Sequence, residues 1–118
     1  MTPIILVRHG HAEHIDGCMT GGWTDTMLTE LGRRQAAALA SRLRNELQGV
    51  PVKRYCSDLR RARETAEYIA AALGLKPTPL RGLREINNGV AKGKTKEEAR
   101  MHFREPTEPL LDWQIYPG

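Results

Sequence analysis

Ile4-Ile5-Leu6-Val7-Arg8-His9-Gly10 is a run of four apolar residues that ends in an arginine, a histidine and a glycine. The run is β-favouring, too short for an amphipathic helix and too uniform for a strand with one wet face. It predicts a strand of a parallel sheet covered on both sides. In open α/β sheets ligands bind outside the carboxyl ends of the strands, so Arg8, His9 and Gly10 fall where chemistry is expected. An arginine there supplies charge and paired donors for a phosphate, and a glycine lets backbone approach a ligand closely.

Outward from that segment the elements alternate. A polar, glycine-containing loop runs to Thr26. A helix follows, with apolar positions Leu28, Leu31, Leu39, Leu43 and Leu47 at helical spacing and Thr29 as its N-cap. Gly49 and Pro51 end it, Val52 to Cys56 read as a second strand, and Ser57-Asp58 opens another helix. That helix should bury Leu59, Ala62, Ala66, Ile69, Ala70 and Leu73 and stop at Gly74. Pro77 and Pro79 mark an extended connection, a further helix is expected from about Lys96 to Phe103, and Pro106, Pro109 and Pro117 punctuate a tail. This rhythm predicts a parallel α/β sheet with right-handed crossovers.

Composition narrows the function classes. The chain has 118 residues, 40% of them hydrophobic, enough for one domain spanning 1–118 but not for two. A net charge of +4 raises the question of nucleic acid, but acidic residues are interleaved with basic ones and only 5% of residues are aromatic, so no stacking platform accompanies the charge. Cys18 and Cys56 are far apart and lack metal-ligand or Cys-x-x-Cys spacing, which reads as two reduced thiols. No signal-like amino terminus or membrane-length apolar run is present, so neither a membrane nor a nucleic acid is expected as partner, and a cytoplasmic location is the default.

Four blocks in order resemble the histidine phosphatase superfamily, the phosphoglycerate mutase-like family. Arg8-His9-Gly10 is similar to its signature, and Gly22-Trp23-x-Asp25-x-x-Leu28-Thr29-x-x-Gly32 with Gln35-Ala36 to its second block. Ser57-x-Leu59-x-Arg61-Ala62-x-x-Thr65-Ala66 resembles the third, and Leu83-Arg84-Glu85-Ile86 with Gly89 and Gly93 the fourth. The resemblance implies the family's three-layer, parallel-sheet α/β fold, incomplete at the carboxyl end. A Gly-Glu-Ser-like segment and a second active-site histidine would follow Gly118. If Gly118 is the end, the sheet exposes an edge that a second copy or an exchanged segment would cover. His11 stands where the family often has Glu, and Ile15 falls where a phosphate-binding Asn often sits.

The resemblance also implies a mechanism without metal or organic cofactor. His9 attacks the phosphorus of a small phosphorylated metabolite through a neutral ring nitrogen and becomes a phosphohistidine. Arg8 and Arg61 clamp the phosphoryl oxygens, Arg61 from the first turn of a helix whose amino terminus adds partial positive charge. Glu85 is the candidate general acid, a carboxyl able to keep its proton in a partly buried, anion-rich pocket, with Asp25 as a weaker alternative. Thr20 and Gly22 are candidate substrate-loop donors.

Hydrolysis is favoured, with phosphoglycerate mutase chemistry as an alternative. A third reading is a non-catalytic fragment, or a phosphate-ester-binding protein that retains Arg8, His9 and Arg61. A fourth comes from His9-x-His11-x-Glu13-His14, which resembles the His-x-His-x-Asp-His pattern of metallo-β-lactamase-like zinc hydrolases but leaves only His102 as a further histidine ligand.

Overall fold

The computed structural model describes residues 2–103. Helix α1 covers Glu13–Asp16, α2 Glu30–Glu46 and α3 Arg60–Ala72, and a short α4 covers Lys96–Arg100. Strands β1, Tyr55–Ser57, and β2, Thr78–Leu80, flank α3 in sequence and pair in parallel, Cys56 opposite Pro79. The result is a β-α-β unit, as the alternation predicts. The extended connection at Pro77 and Pro79 is therefore itself a strand, and Pro79 is tolerated because β2 has β1 on one side only among the described residues.

Helix α2 begins where its sequence says it should. Thr29 is extended, and its hydroxyl accepts from the Gly32 N–H at 3.1 Å. The buried row is Gly32, Ala36, Ala40 and Leu43, spaced by four, four and three residues, and it packs on α3. Small residues along this row let the two helix backbones approach. Leu31 consequently points outward, 45% exposed, and Leu39 and Leu47 are half-buried rather than central.

Helix α3 starts three residues later than Ser57, because Ser57 still belongs to β1. Its N-cap is Leu59, which has no side-chain oxygen to offer. Asp25 substitutes from a distance: its Oδ1 accepts from the Arg60 N–H at 2.7 Å. At the other end Gly74 adopts φ +69°, the Leu75 N–H reaches the Ala70 carbonyl and the Gly74 N–H the Ala71 carbonyl, a Schellman stop. The deepest α3 positions are Arg61, Thr65 and Ala70, whereas Ala62, Ala66, Ile69 and Leu73 are half-buried. Apolar periodicity alone misplaces this stripe, since two polar residues occupy its centre. Burial of Leu28 and Leu59 beside it contributes about 1.5–3 kcal/mol each.

The amino-terminal run departs most from expectation. Ile4, Ile5 and Leu6 are 81%, 56% and 91% exposed and pair with nothing among the described residues. A parallel strand needs neighbours for its N–H and C=O groups and layers over its faces; β1 and β2 supply neither here. The second strand also begins at Tyr55, not at Val52, and α4 is shorter than the expected 96–103 span, with Phe103 outside it. A capping box of Thr95 and Glu98 starts α4. The prolines Pro106, Pro109 and Pro117 lie outside the described residues.

Cys18 is exposed and Cys56 buried, both as free thiols. Among the described residues no helix is long and apolar enough to cross a membrane.

Candidate active site

Arg61 organises the centre. Its guanidinium is 2% exposed and donates Nη1 to the Thr24 carbonyl and Nη2 to the Gly22 carbonyl, both at 2.6 Å. Nη2 also meets Glu85 Oε2 at 3.3 Å, and Nε donates to His9 Nε2 at 3.2 Å. One side chain thus ties the first turn of α3 to the 22–24 loop, the 85 loop and the histidine. Two carbonyl dipoles and one half-exposed carboxylate are weak compensation for a buried cation, so the site retains a positive field suited to an anion.

His9 is held in one tautomer. Its Nδ1 lies 2.6 Å from the Gly10 carbonyl, which can only accept, so Nδ1 carries the proton. In the neutral ring Nε2 then bears the lone pair that receives the Arg61 Nε–H. Burial lowers the His9 pKa below its ordinary value of 6.5, and the charges of Arg61 and Arg8 lower it further, against the opposing Gly10 hydrogen bond and Glu85 charge. The imidazole is therefore neutral and nucleophilic at Nε2 near neutral pH.

The backbone at His9 is fixed from both sides. The Gly10 N–H donates to Thr65 Oγ1 at 3.1 Å, and the same hydroxyl donates to the Arg61 carbonyl at 2.8 Å. A Cβ on Gly10 would sit 2.6 Å from the Gly32 carbonyl oxygen. This glycine permits the close approach of the His9–Gly10 backbone to α2 and also lines the cavity beside His9. Thr65 was visible in the sequence only as part of a block, without a role.

The other expected residues are placed differently from one another. Arg8 is exposed and lines, with His9, Gly10 and Thr65, a cavity of about 210 Å³. Thr20 is buried and its hydroxyl donates to the Ala91 carbonyl at 2.6 Å, which engages it in holding the loop. Gly22 contributes its carbonyl to Arg61 and sits at φ +55°, where a Cβ would lie 2.5 Å from the Ile86 carbonyl oxygen. Asp25 is engaged at the α3 amino terminus. Glu85 reaches the site but its side chain is 59% exposed, more open than the partly buried pocket expected for it.

His14 was missed as a member of this group. Its ring packs edge-on to His9 with centroids 6.1 Å apart, it is 8% exposed, and its Nδ1 pairs with Thr26 Oγ1 at 2.8 Å. Burial, then the charge of Arg61, lowers its pKa. The one-turn helix α1 brings it inward, a turn that no apolar periodicity announces. The histidine-rich segment otherwise scatters: His11 turns to Thr29 and Asp16, and Glu13 to the Met27 N–H. Among the described residues no three His, Cys, Asp or Glu side chains are grouped to hold a metal ion.

Residues 4–117 match the family model of the histidine phosphatase superfamily, branch 1. The chain belongs to this superfamily. It is 40% identical over 94 residues to a probable phosphoglycerate mutase of Yersinia pestis, an alignment covering 80% of this chain and 42% of that protein. Among solved structures it is similar to a mycobacterial glucosyl-3-phosphoglycerate phosphatase, with a TM-score of 0.70 and 35% identity over 79% of this chain and 43% of that one. A phosphoserine phosphatase from Entamoeba histolytica, solved with 3-phosphoglyceric acid, aligns with a TM-score of 0.62 and 33% identity over 78% and 44% of the two chains. The chain thus spans about two-fifths of the length of the curated relatives it matches. Its parallel α/β arrangement is that of an incomplete histidine phosphatase fold.

Proposed function

We propose that residues 1–118 form one α/β domain that hydrolyses a small phosphomonoester in the cytoplasm through a phosphohistidine at His9. The observation that carries this reading is the His9–Arg61 pair, a neutral imidazole with its lone pair at Nε2 aimed at a buried guanidinium. The phosphoryl group enters between them, and the Arg61 Nε–H passes from the ring nitrogen to a phosphoryl oxygen. Arg8 approaches the same group from the cavity side. As the P–N bond to His9 forms and the P–O bond breaks, Glu85 gives its proton to the leaving alkoxide. Water then attacks phosphorus as the P–N bond breaks, its proton passing to a phosphoryl oxygen, which releases phosphate and restores His9, and the exposed Glu85 carboxylate regains its proton from solvent.

The relatives named as phosphatases acting on glucosyl-3-phosphoglycerate and phosphoserine support a phosphorylated, acid-bearing metabolite as substrate. The relative named as a probable phosphoglycerate mutase supports a second reading, in which an alcohol rather than water takes the phosphoryl group.

The test is hydrolysis of p-nitrophenyl phosphate with and without a chelator, beside the His9→Ala variant. Turnover that survives chelation and disappears in His9→Ala is expected. An unaltered chain without turnover would leave the phosphate-ester-binding reading in its place.

A further inference from the structure

We infer that Trp23 is a positioning residue for Glu85, acting through the backbone of the loop that carries the acid. The inference rests on the general-acid reading of Glu85 given above.

Glu85 has little of its own to hold it in place. Its side chain is 59% exposed, and its contact with the site is the 3.3 Å approach to Arg61 Nη2. The backbone is anchored instead: Trp23 Nε1–H donates to the Glu85 carbonyl at 2.7 Å, across 62 residues of sequence. The indole in turn is held by two arginines from the same loop, Arg81 and Arg84, whose guanidinium carbons lie 5.5 and 5.0 Å from the ring centroid. Arg84 is itself fixed by two parallel hydrogen bonds to Asp58, 2.6 Å from Nε and 2.9 Å from Nη2. Asp58 stands just ahead of α3, whose first turn supplies Arg61.

The chain of contacts therefore closes a ring. Asp58 grips Arg84, Arg84 stacks on Trp23, Trp23 holds the Glu85 carbonyl, and Arg61 meets the Glu85 carboxylate from the helix that Asp58 precedes. Trp23 also neighbours Gly22 and Thr24, whose carbonyls receive Arg61. The acid and the guanidinium are referenced to the same short loop, and the indole N–H is the link on the acid side. A rigid aromatic donor fits this task, because an arginine can stack on its face while the edge N–H stays free to bond.

The consequence is specific to steps that need a proton. Glycerol 3-phosphate expels an alkoxide that must be protonated, whereas p-nitrophenyl phosphate expels a nitrophenolate that leaves without help. Trp23→Phe keeps an aromatic face for the arginines and removes only the N–H. It should lower kcat for glycerol 3-phosphate on the order of tenfold, with KM little changed, and leave p-nitrophenyl phosphate turnover within about twofold. Glu85→Gln should lower glycerol 3-phosphate turnover by about 10²-fold or more and p-nitrophenyl phosphate turnover by clearly less. Arg84→Lys, which keeps the charge but loses the fork and the stacking, should follow Trp23→Phe and serves where the tryptophan variant folds poorly.

Equal slowing of both substrates, or of neither, in both Trp23→Phe and Arg84→Lys, while Glu85→Gln remains selective, would overturn the inference and spare the general acid. A Glu85→Gln variant without selectivity would overturn the acid assignment and this inference together.

Discussion

Arg61 Nε lies 3.2 Å from His9 Nε2, joining the first turn of α3 to a histidine 52 residues earlier in the chain. The contact gives a buried arginine the place it needs in the proposed reaction. Two of its five N–H donors go to the Gly22 and Thr24 carbonyls, which fix the plane of the guanidinium and leave the Nε edge toward His9. Arg61→Ala should lower kcat by about 10²-fold or more, by analogy with loss of one oriented donor to a developing anion. It should also destabilise the fold, since each abandoned buried carbonyl costs about 1–3 kcal/mol. Arg61→Lys should rescue little, because one ammonium cannot serve a planar set of four partners. Urea unfolding and steady-state kinetics on the two variants would check both parts, and near-normal kcat in Arg61→Lys would contradict them.

Gly22 couples the loop to the Glu85 segment by lacking a side chain. Its φ of +55° and the 2.5 Å approach that a Cβ would make to the Ile86 carbonyl and the Asn88 side chain both oppose substitution. Gly22→Ala should destabilise by about 1–3 kcal/mol from backbone strain alone, and more from the clash. Gly82, where a Cβ meets open space, is the control: Gly82→Ala should stay within about 0.5 kcal/mol in the same melts.

Acid should weaken the fold through two imidazoles. His9 and His14 both have pKa values lowered from 6.5 by burial first. As pH falls through about 6.5 the unfolded chain takes up these protons while the folded chain still refuses them, so stability declines until the folded-state values are reached. Thermal midpoints should therefore fall as pH drops below 6.5, and His14→Asn should flatten the slope. A midpoint that rises on acidification across this window would reverse the assignment. The same depression keeps His9 neutral, so the acid limb of kcat/KM should lie below pH 6.5.

Thr29 does double duty at the start of α2. It caps Gly32 N–H and its hydroxyl also sits 2.7 Å from His11 Nδ1. Thr29→Ala should cost about 0.5–2 kcal/mol in denaturant unfolding, whereas Thr29→Ser should cost less because the cap oxygen remains.

How much of this could be read from the chain differs by element. The cap at Thr29, the stop at Gly74 and the β-α-β alternation are local signals, and they hold. Ile4 to Val7 misled because a uniform apolar run signals a preference for burial but does not encode which strands or helices would cover it. In α3 the apolar stripe pointed to alanines, while the centre is Arg61, satisfied by the Gly22 and Thr24 carbonyls of a distant loop, and Thr65, satisfied by the Arg61 carbonyl and the Gly10 N–H. His9, Arg61 and Glu85 were legible as a resemblance to blocks of a family, and they do converge. His14, the Trp23 contact with Glu85 and the Asp58–Arg84 pair are long-range relationships, which no local pattern encodes.

The central claim is that His9 Nε2 becomes covalently phosphorylated. The most direct test is to quench the chain during turnover of a phosphomonoester and map the phosphoryl adduct by mass spectrometry under alkaline conditions, where phosphohistidine survives. An adduct on the peptide containing His9, absent from His9→Ala and still formed by Glu85→Gln with p-nitrophenyl phosphate, is the predicted result. Turnover with no adduct on that peptide, or an adduct that persists in His9→Ala, would contradict the account.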